Sequence, residues 1–169
     1  MIYIKEAIQQ SKAEFSKVLD TNVLGHFICS RTFARQAQKL GTPGSVVLIA
    51  SMSAHIANQG LYSIGMNSSK AAICQMARSM ACEWGSLKIR VNTLSPGYIA
   101  SPIPKERYEK DPEALKRIEQ QNPLGRISSP EEYRGAVVFM LSDASEFMTG
   151  SDIVIDGGTL CGRTLLIKL

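Results

Sequence analysis

The 169-residue sequence has few of the residues that build metal sites or aromatic binding surfaces. Aromatic residues make up 7% of the chain, which has one tryptophan and two histidines. His26 and His55 are isolated from other metal-ligand residues in the sequence. We therefore expect a structural role for each histidine and no metal site.

Long runs of one residue type are also missing. The net charge of +4 is spread along the chain, without the basic clusters that are typical of nucleic-acid binding. No apolar stretch approaches the roughly 20 residues that a membrane helix needs. Residues 1–10 lack the apolar core and cleavage site of a signal peptide. We expect a cytoplasmic protein that binds neither nucleic acid nor membrane.

The four cysteines show no Cys-x-x-Cys spacing. In a cytoplasmic protein this pattern favours free thiols over disulfides or metal ligands. We expect these thiols to be buried. They are Cys29, Cys74, Cys82 and Cys161.

What the sequence does contain is an alternation of helical periodicity and short apolar runs. One run, 45–50, is rich in β-branched residues, as in strands that are buried on both faces of a parallel sheet. The expected architecture is a single α/β domain over 1–169. The predicted helices are 5–37 (with a break near Gly25), 66–85, 113–121 and 130–141, and the predicted strands are 45–50, 89–94 and 152–155.

Five short motifs carry the chemical information. Ser51 follows the first strand, and Met66 stands four residues before Lys70. The runs 22–25 (Asn-x-x-Gly) and 95–97 (Ser-Pro-Gly) flank them, together with Arg-Val-Asn at 90–92. In this order and spacing the motifs resemble the C-terminal part of a short-chain dehydrogenase/reductase.

The resemblance extends over about 14–158, and it is nearest to fungal polyol dehydrogenases of the mannitol dehydrogenase and sorbose reductase type. The segments 51–58, 95–99 and 155–158 carry that nearer likeness. It implies a partial Rossmann-like fold that lacks the N-terminal βαβ cofactor-binding half, because no Gly-x-x-x-Gly-x-Gly or Gly-x-Gly-x-x-Gly occurs. Residues 1–158 are then family-like, and 159–169 are an extra C-terminal tail.

The resemblance assigns roles to three residues. Lys70 is the lysine that lowers the pKa of the family's proton-donating tyrosine, Ser51 is the serine that binds the substrate oxygen, and Asn22 is the asparagine of the proton relay. Ser53 is a less favoured alternative to Ser51. The tyrosine position holds Met66, which has no proton to give, and general acid help is worth about 10²–10⁴ in rate.

Tyr62 is a possible substitute for the missing tyrosine. If it were helical, it would lie about 12 Å along the helix axis from Lys70. If it belonged to the preceding loop, it could fold back toward the lysine. A tyrosine on the pocket wall is the favoured interpretation.

The resemblance also places four residues on the nicotinamide side of a cofactor site, although recognition of the pyrophosphate and adenosine is lost. We expect no cofactor, or NADP or NAD if the chain is an oxidoreductase. The four positions are Pro96, Gly97, Ile99 and Ser101.

Three functions remain open. The first is a non-redox catalyst (an isomerase, a cyclase or a cycloaddition enzyme) in fungal secondary metabolism, acting on a small molecule. The second is an NAD(P)-dependent oxidoreductase of carbonyl or alcohol substrates. The third is a non-catalytic partner of a full-length relative. In each case the two long helices would join a homodimer or larger homo-oligomer, as they do in the family.

Overall fold

Three parallel strands form the centre of the fold. The computed structural model describes residues 1–58, 60–100 and 111–162. Strands β1 (Gly44–Ile49), β2 (Ile89–Pro96) and β3 (Asp152–Ile155) lie in the order β1-β2-β3. Their parallel register pairs Val46 with Val91 and Thr93 with Asp152. The three predicted strands are confirmed, and their carboxyl ends meet at one edge of the sheet.

One face of the sheet is covered by the long helix α3 (Ile64–Trp84). Its inward side chains recur at helical spacing, so that Ile73 and Met80 are buried against β2. This helix begins two residues earlier than predicted, at Ile64. The main core lies between it, the helix before β1 and the strands. Its buried members are Ala34, Ala37, Leu48, Ala50, Ile73, Cys74, Ala77, Met80, Ala81, Ile89 and Val91.

The predicted long helix over 5–37, with a break near Gly25, is confirmed from residue 12 onward, but it begins later than predicted and extends to Leu40. A 3₁₀ turn (Ala7–Gln9) comes first, and then Ser11 and Glu14 form a capping box that starts helix α1 (Lys12–Leu19). A π-helical stretch (Asp20–Leu24) separates α1 from α2 (Gly25–Leu40). The predicted break near Gly25 therefore exists as a π-helical turn. Helix α2 is capped at its C-terminus by Gly41, whose φ of 64° suits a glycine.

The opposite face of the sheet is covered by α5 (Arg134–Leu141), which follows a 3₁₀ turn (Pro130–Tyr133). Met140 of this helix is fully buried against Leu94 of β2. Between β2 and this turn lies α4 (Pro112–Gln121), and a last 3₁₀ turn (Thr159–Cys161) follows β3. Among the described residues, no helix is long and apolar enough to cross a membrane.

The cysteines are free, as expected, but the prediction that they are buried is wrong for three of them. Cys74 faces the core, whereas Cys29, Cys82 and Cys161 are exposed. Cys74 and Cys82 are both in α3. Because they are separated by eight residues, their side chains point in directions that differ by about 80° around the helix axis. Helical phase therefore decides which thiol is buried.

Candidate active site

Asn22, Ser51 and Lys70, the three residues expected to be catalytic, lie at the carboxyl end of β1. Parallel α/β sheets bind their ligands at this edge, where loops leave the strand ends. Ser51 follows β1 directly, Lys70 reaches the end of the same strand from α3, and Asn22 lies in the π-helical stretch beside α3. The sequence therefore brings together side chains from three separate elements.

Lys70 is held by the backbone of β1. Its Nζ donates a hydrogen bond of 2.7 Å to the carbonyl oxygen of Ile49. Burial lowers the pKa of Lys70 below its ordinary value of 10.5, because an ammonium loses hydration in the interior. A lysine with a lowered pKa can accept a proton as well as donate one.

Asn22 is buried and fixes the turn of α3 that carries the lysine. Its Nδ2 donates to the Ser69 hydroxyl at 3.0 Å and to the Met1 carbonyl oxygen at 3.0 Å. Its Oδ1 accepts from the Met1 amino group at 2.7 Å. Its backbone carbonyl oxygen lies 2.5 Å from His26 Nδ1. Asn22 thus positions its neighbours through several groups at once.

The loop after β1 separates the roles of two serines. The Ser51 hydroxyl accepts a hydrogen bond of 3.1 Å from the Ser53 backbone N–H and keeps its own proton for another acceptor. Ser53 Oγ is buried and donates to Asn58 Oδ1 at 2.7 Å. The less favoured candidate, Ser53, is therefore engaged within the loop.

The position of the family tyrosine contains no acid. Met66 is half-buried in the first turns of α3, and its carbonyl oxygen accepts from the Ser69 hydroxyl at 2.7 Å. Tyr62 lies in the loop before α3 rather than in the helix, and its side chain is 60% exposed. Its backbone carbonyl oxygen accepts from Lys5 N–H at 2.9 Å. An exposed loop tyrosine does not take the place that Met66 occupies.

The residues expected on the nicotinamide side follow the end of β2. Pro96 is buried, and the Gly97 N–H donates to the Ile155 carbonyl oxygen at 2.8 Å. Ile99 forms an isolated parallel bridge with Ser128. Ser101 lies outside the described residues. The three described positions line the same sheet edge as Ser51.

Three basic groups lie near Asn22, and burial lowers the pKa of each of them. The pKa of His26 is lowered, chiefly by burial and further by the charges of Lys70 and the Met1 amino group. The pKa of that amino group is itself lowered by burial and by Lys70. Burial and mutual repulsion therefore favour the neutral forms of these groups, which can accept a proton.

Sequence reasoning missed a polar link between the loops that follow β1 and β2. Asn58 Nδ2 donates to the Tyr98 hydroxyl at 3.1 Å. Both residues line a pocket of about 260 Å³ together with Gln121 and Leu160. The signal available in the sequence was a polar residue in each of the loops that follow β1 and β2, but the residues of the pair are 40 positions apart. The pocket provides room for a small molecule.

Comparisons with known proteins agree with this geometry. A family profile described as Enoyl-(Acyl carrier protein) reductase matches residues 3–159. Short chain dehydrogenases/reductase notP' of Aspergillus versicolor is 47% identical over 148 residues, which cover 85% of this chain and 50% of that protein. The ribulose-forming D-arabinitol 2-dehydrogenase of Candida tropicalis is 40% identical over 85% of this chain and 51% of its own length.

Among solved structures, 4-hydroxyisoleucine dehydrogenase in complex with NADH is similar with a TM-score of 0.90. It is 31% identical, and the match covers 96% of this chain and 66% of that one. The chain belongs to the short-chain dehydrogenase/reductase family. It spans about half the length of the curated relatives that it matches, so its fold is a partial version of theirs.

Proposed function

We propose that this chain is a non-redox catalyst that polarises the carbonyl group of a small molecule, in an isomerisation, cyclisation or cycloaddition. The observation that carries the proposal is the pairing of Met66 with a retained Lys70. The proton donor that reduction needs is gone, while the lysine remains buried with a lowered pKa. Fungal secondary metabolism is the setting we propose, and it rests on the similarity to the Aspergillus versicolor protein.

The chemistry that these groups support is proton transfer next to a carbonyl group. The neutral Lys70 amine removes a proton from the carbon beside the carbonyl, and the Ser51 hydroxyl donates a hydrogen bond to the carbonyl oxygen. The oxygen then carries the negative charge of an enolate, which the serine and the resulting lysine ammonium stabilise. Return of the proton from the lysine ammonium to the opposite face of the same carbon restores the carbonyl group and completes an epimerisation, one form of isomerisation with no net oxidation.

Asn22 acts in this proposal as a positioning residue. It touches Ser69, the neighbour of Lys70, through its side-chain amide. Replacement by alanine would leave the Ser69 hydroxyl without this donor and would loosen the turn that carries the lysine. The expected consequence is a lower kcat with a smaller change in KM.

The test uses exchange of substrate protons with solvent deuterium. Ketoses such as ribulose, the product named for one relative, are incubated with the chain in D₂O and followed by proton NMR. We expect exchange beside the carbonyl group that is lost in Lys70→Met and retained in Tyr62→Phe. Equal exchange by wild type and Lys70→Met would contradict the proposal. The mechanism would also be contradicted if the wild type caused no proton exchange in any of a panel of ketoses and other small ketones.

An NAD(P)-dependent oxidoreductase is a second candidate, which the named activities of the relatives favour. Pro96 ends β2 and Gly97 follows it, at the edge of the sheet where parallel α/β folds bind ligands. A further chain segment or a partner chain would have to supply the pyrophosphate site. Turnover of NADPH or NADH with a ketose would favour this candidate. Absence of both turnover and exchange would favour a non-catalytic partner of a full-length relative.

A further inference from the structure

A cluster of metal-ligating side chains lies on the α3 face of the sheet, and its cysteine is one helical turn after Lys70. His55 follows the 3₁₀ turn (Met52–Ala54) after β1, Cys74 comes from α3, and Asp152 begins β3. One potential ligand atom from each residue lies within 4.8 Å of the other two. We propose that these three side chains bind a zinc ion.

The donor set favours zinc. A thiolate, an imidazole and a carboxylate are the three ligand types that zinc takes in proteins. Magnesium and calcium prefer oxygen ligands alone, so Cys74 disfavours them. With neutral His55, the thiolate and the Asp152 carboxylate together balance the two positive charges of the ion. A neutral complex suits a place where the thiol is buried and the carboxylate nearly so.

The His55–Asp152 distance is that of a pair that has to move apart slightly to hold an ion. His55 Nε2 lies 2.7 Å from Asp152 Oδ2, a hydrogen bond that the ion would replace. Two ligands about 2.0–2.2 Å from zinc at a tetrahedral angle are about 3.3 Å apart. The imidazole would withdraw by roughly half an ångström. Its side chain is 36% exposed at the end of a short turn, so it has room to do so.

Asp152 is already oriented by a neighbour. The Ser95 hydroxyl lies 2.9 and 2.8 Å from its two carboxylate oxygens and donates to them. Hydrogen bonds of this kind to a ligating carboxylate are typical of metal sites, where they fix the direction of the oxygen lone pairs. Ser95 thus supplies the outer support that a cation site needs.

The thiol gives up its proton when the ion binds. Burial raises the pKa of Cys74, with a further contribution from the Asp152 charge, so the thiol is protonated in the metal-free chain. Zinc replaces that proton, which leaves to solvent, and a water can complete the tetrahedron on the exposed side of His55. The bound ion would connect the loop that carries Ser51 to α3 and β3.

The experiment titrates the purified 169-residue chain with zinc in competition with a chromogenic chelator, after dialysis against EDTA. We expect one ion per chain with a Kd of about 1 µM or lower. His55→Asn and Asp152→Asn should each weaken binding by more than about 100-fold, beyond the 10–100-fold typical of outer-shell losses. Ser95→Ala should weaken it by about 10–100-fold.

Cobalt gives a second measurement, whose first result comes from the wild type alone. A cobalt ion on Cys74 should show a thiolate-to-metal charge-transfer band in the near ultraviolet. Cys74→Ser should abolish the band, and the matched control Cys82→Ser, at an exposed cysteine of the same helix, should keep it. Failure of wild type to bind zinc below about 100 µM, or to give the cobalt band, would overturn the proposal. So would a band that survives in folded Cys74→Ser.

Discussion

The Nζ atom of Lys70 donates a hydrogen bond of 2.7 Å to the carbonyl oxygen of Ile49, two residues before Ser51. This contact joins α3 to the end of β1 and sets the lysine at the edge of the sheet where the serine emerges. The strand end thereby fixes both groups of the proposed site. The remaining question is what a lysine does there when Met66 replaces the acid.

The first prediction concerns the protonation of Lys70. Below its lowered pKa in the folded chain, the residue is charged in both states, and burial of the charge costs stability. As pH rises from that pKa toward 10.5, the unfolded chain binds the proton more tightly than the folded chain, and the cost disappears. The wild type should therefore gain stability relative to Lys70→Met across this range.

Urea unfolding from pH 7 to 10.5 measures this difference. Lys116→Met, at an exposed position of α4, is the control for removal of one lysine charge. A stability difference between wild type and Lys70→Met that stays constant with pH would show that Lys70 keeps an ordinary pKa.

The second prediction concerns the cofactor. The 169 residues contain no glycine-rich pyrophosphate loop, so the adenosine and pyrophosphate halves of a dinucleotide have no recognisable site. We expect the chain to bind NADPH and NADH no more tightly than about 1 mM, a binding free energy of about 4 kcal/mol. Titration calorimetry measures the affinity for both dinucleotides. A micromolar affinity for either of them would favour the oxidoreductase.

The third prediction is that Met66→Tyr does not restore reduction. The variant regains a phenol four residues before Lys70, but the hydride source is absent as well. NADPH consumption with ribulose or another ketose should equal that of the matched variant Met66→Leu. Measurable turnover by Met66→Tyr alone would show that the cofactor site is functional.

The fourth prediction concerns the close approach of Gly97 to β3. A Cβ added at Gly97 would lie 2.7 Å from the Asp156 Cα, so the backbone would have to move. Gly97→Ala should cost about 1–3 kcal/mol of stability, as overpacking does. Gly135→Ala in α5 meets nothing within 4 Å and should be neutral or stabilising by up to about 1 kcal/mol. Equal denaturation midpoints for the two variants would contradict this reasoning.

The fifth prediction concerns assembly through α2 and α3. Ile73 and Met80 are already buried within the chain, but Phe27, Ile28 and Phe33 of α2 are 38%, 44% and 42% exposed. Apolar burial is worth about 25 cal/mol per Å², so covering these exposed side chains favours association. We expect light scattering to show a homodimer or a larger assembly at micromolar concentration.

Two charged variants locate the interface. Phe27→Glu, on α2, should shift the chain toward monomer, while Phe139→Glu, at a 41% exposed position of α5, should leave the assembly unchanged. A compact monomer that melts cooperatively at micromolar concentration would exclude an obligate assembly.

The strands were the most predictable part of the fold. An apolar run such as 152–155 needs no partner to be recognised, and β3 has those bounds. The long helix was predicted to begin at residue 5 because periodicity alone does not fix a helix start, although Ser11 and Glu14 carried a capping signal. Three of the five motifs follow or contain an element boundary, which helped to locate the candidate site: Ser51, 22–25 and 95–97.

Contacts between distant residues could not be read from the sequence. His55 and Asp152 are 97 positions apart, and nothing local to either residue predicts their 2.7 Å hydrogen bond. The same holds for Asn58 and Tyr98. Such pairs depend on the order and register of the strands, which sequence periodicity leaves undetermined.

The π-helical stretch Asp20–Leu24 has a geometric consequence for α2. Asn22 and Phe33 are eleven residues apart, which in a regular α-helix is about three turns and would place them on one side. Instead Asn22 is 6% exposed and Phe33 is 42% exposed. One added residue turns everything after it by about 100° around the axis. Loss of a single residue from this stretch would rotate α2 by about 100° around its axis and turn part of its inner side toward solvent, with every side chain of the helix unchanged.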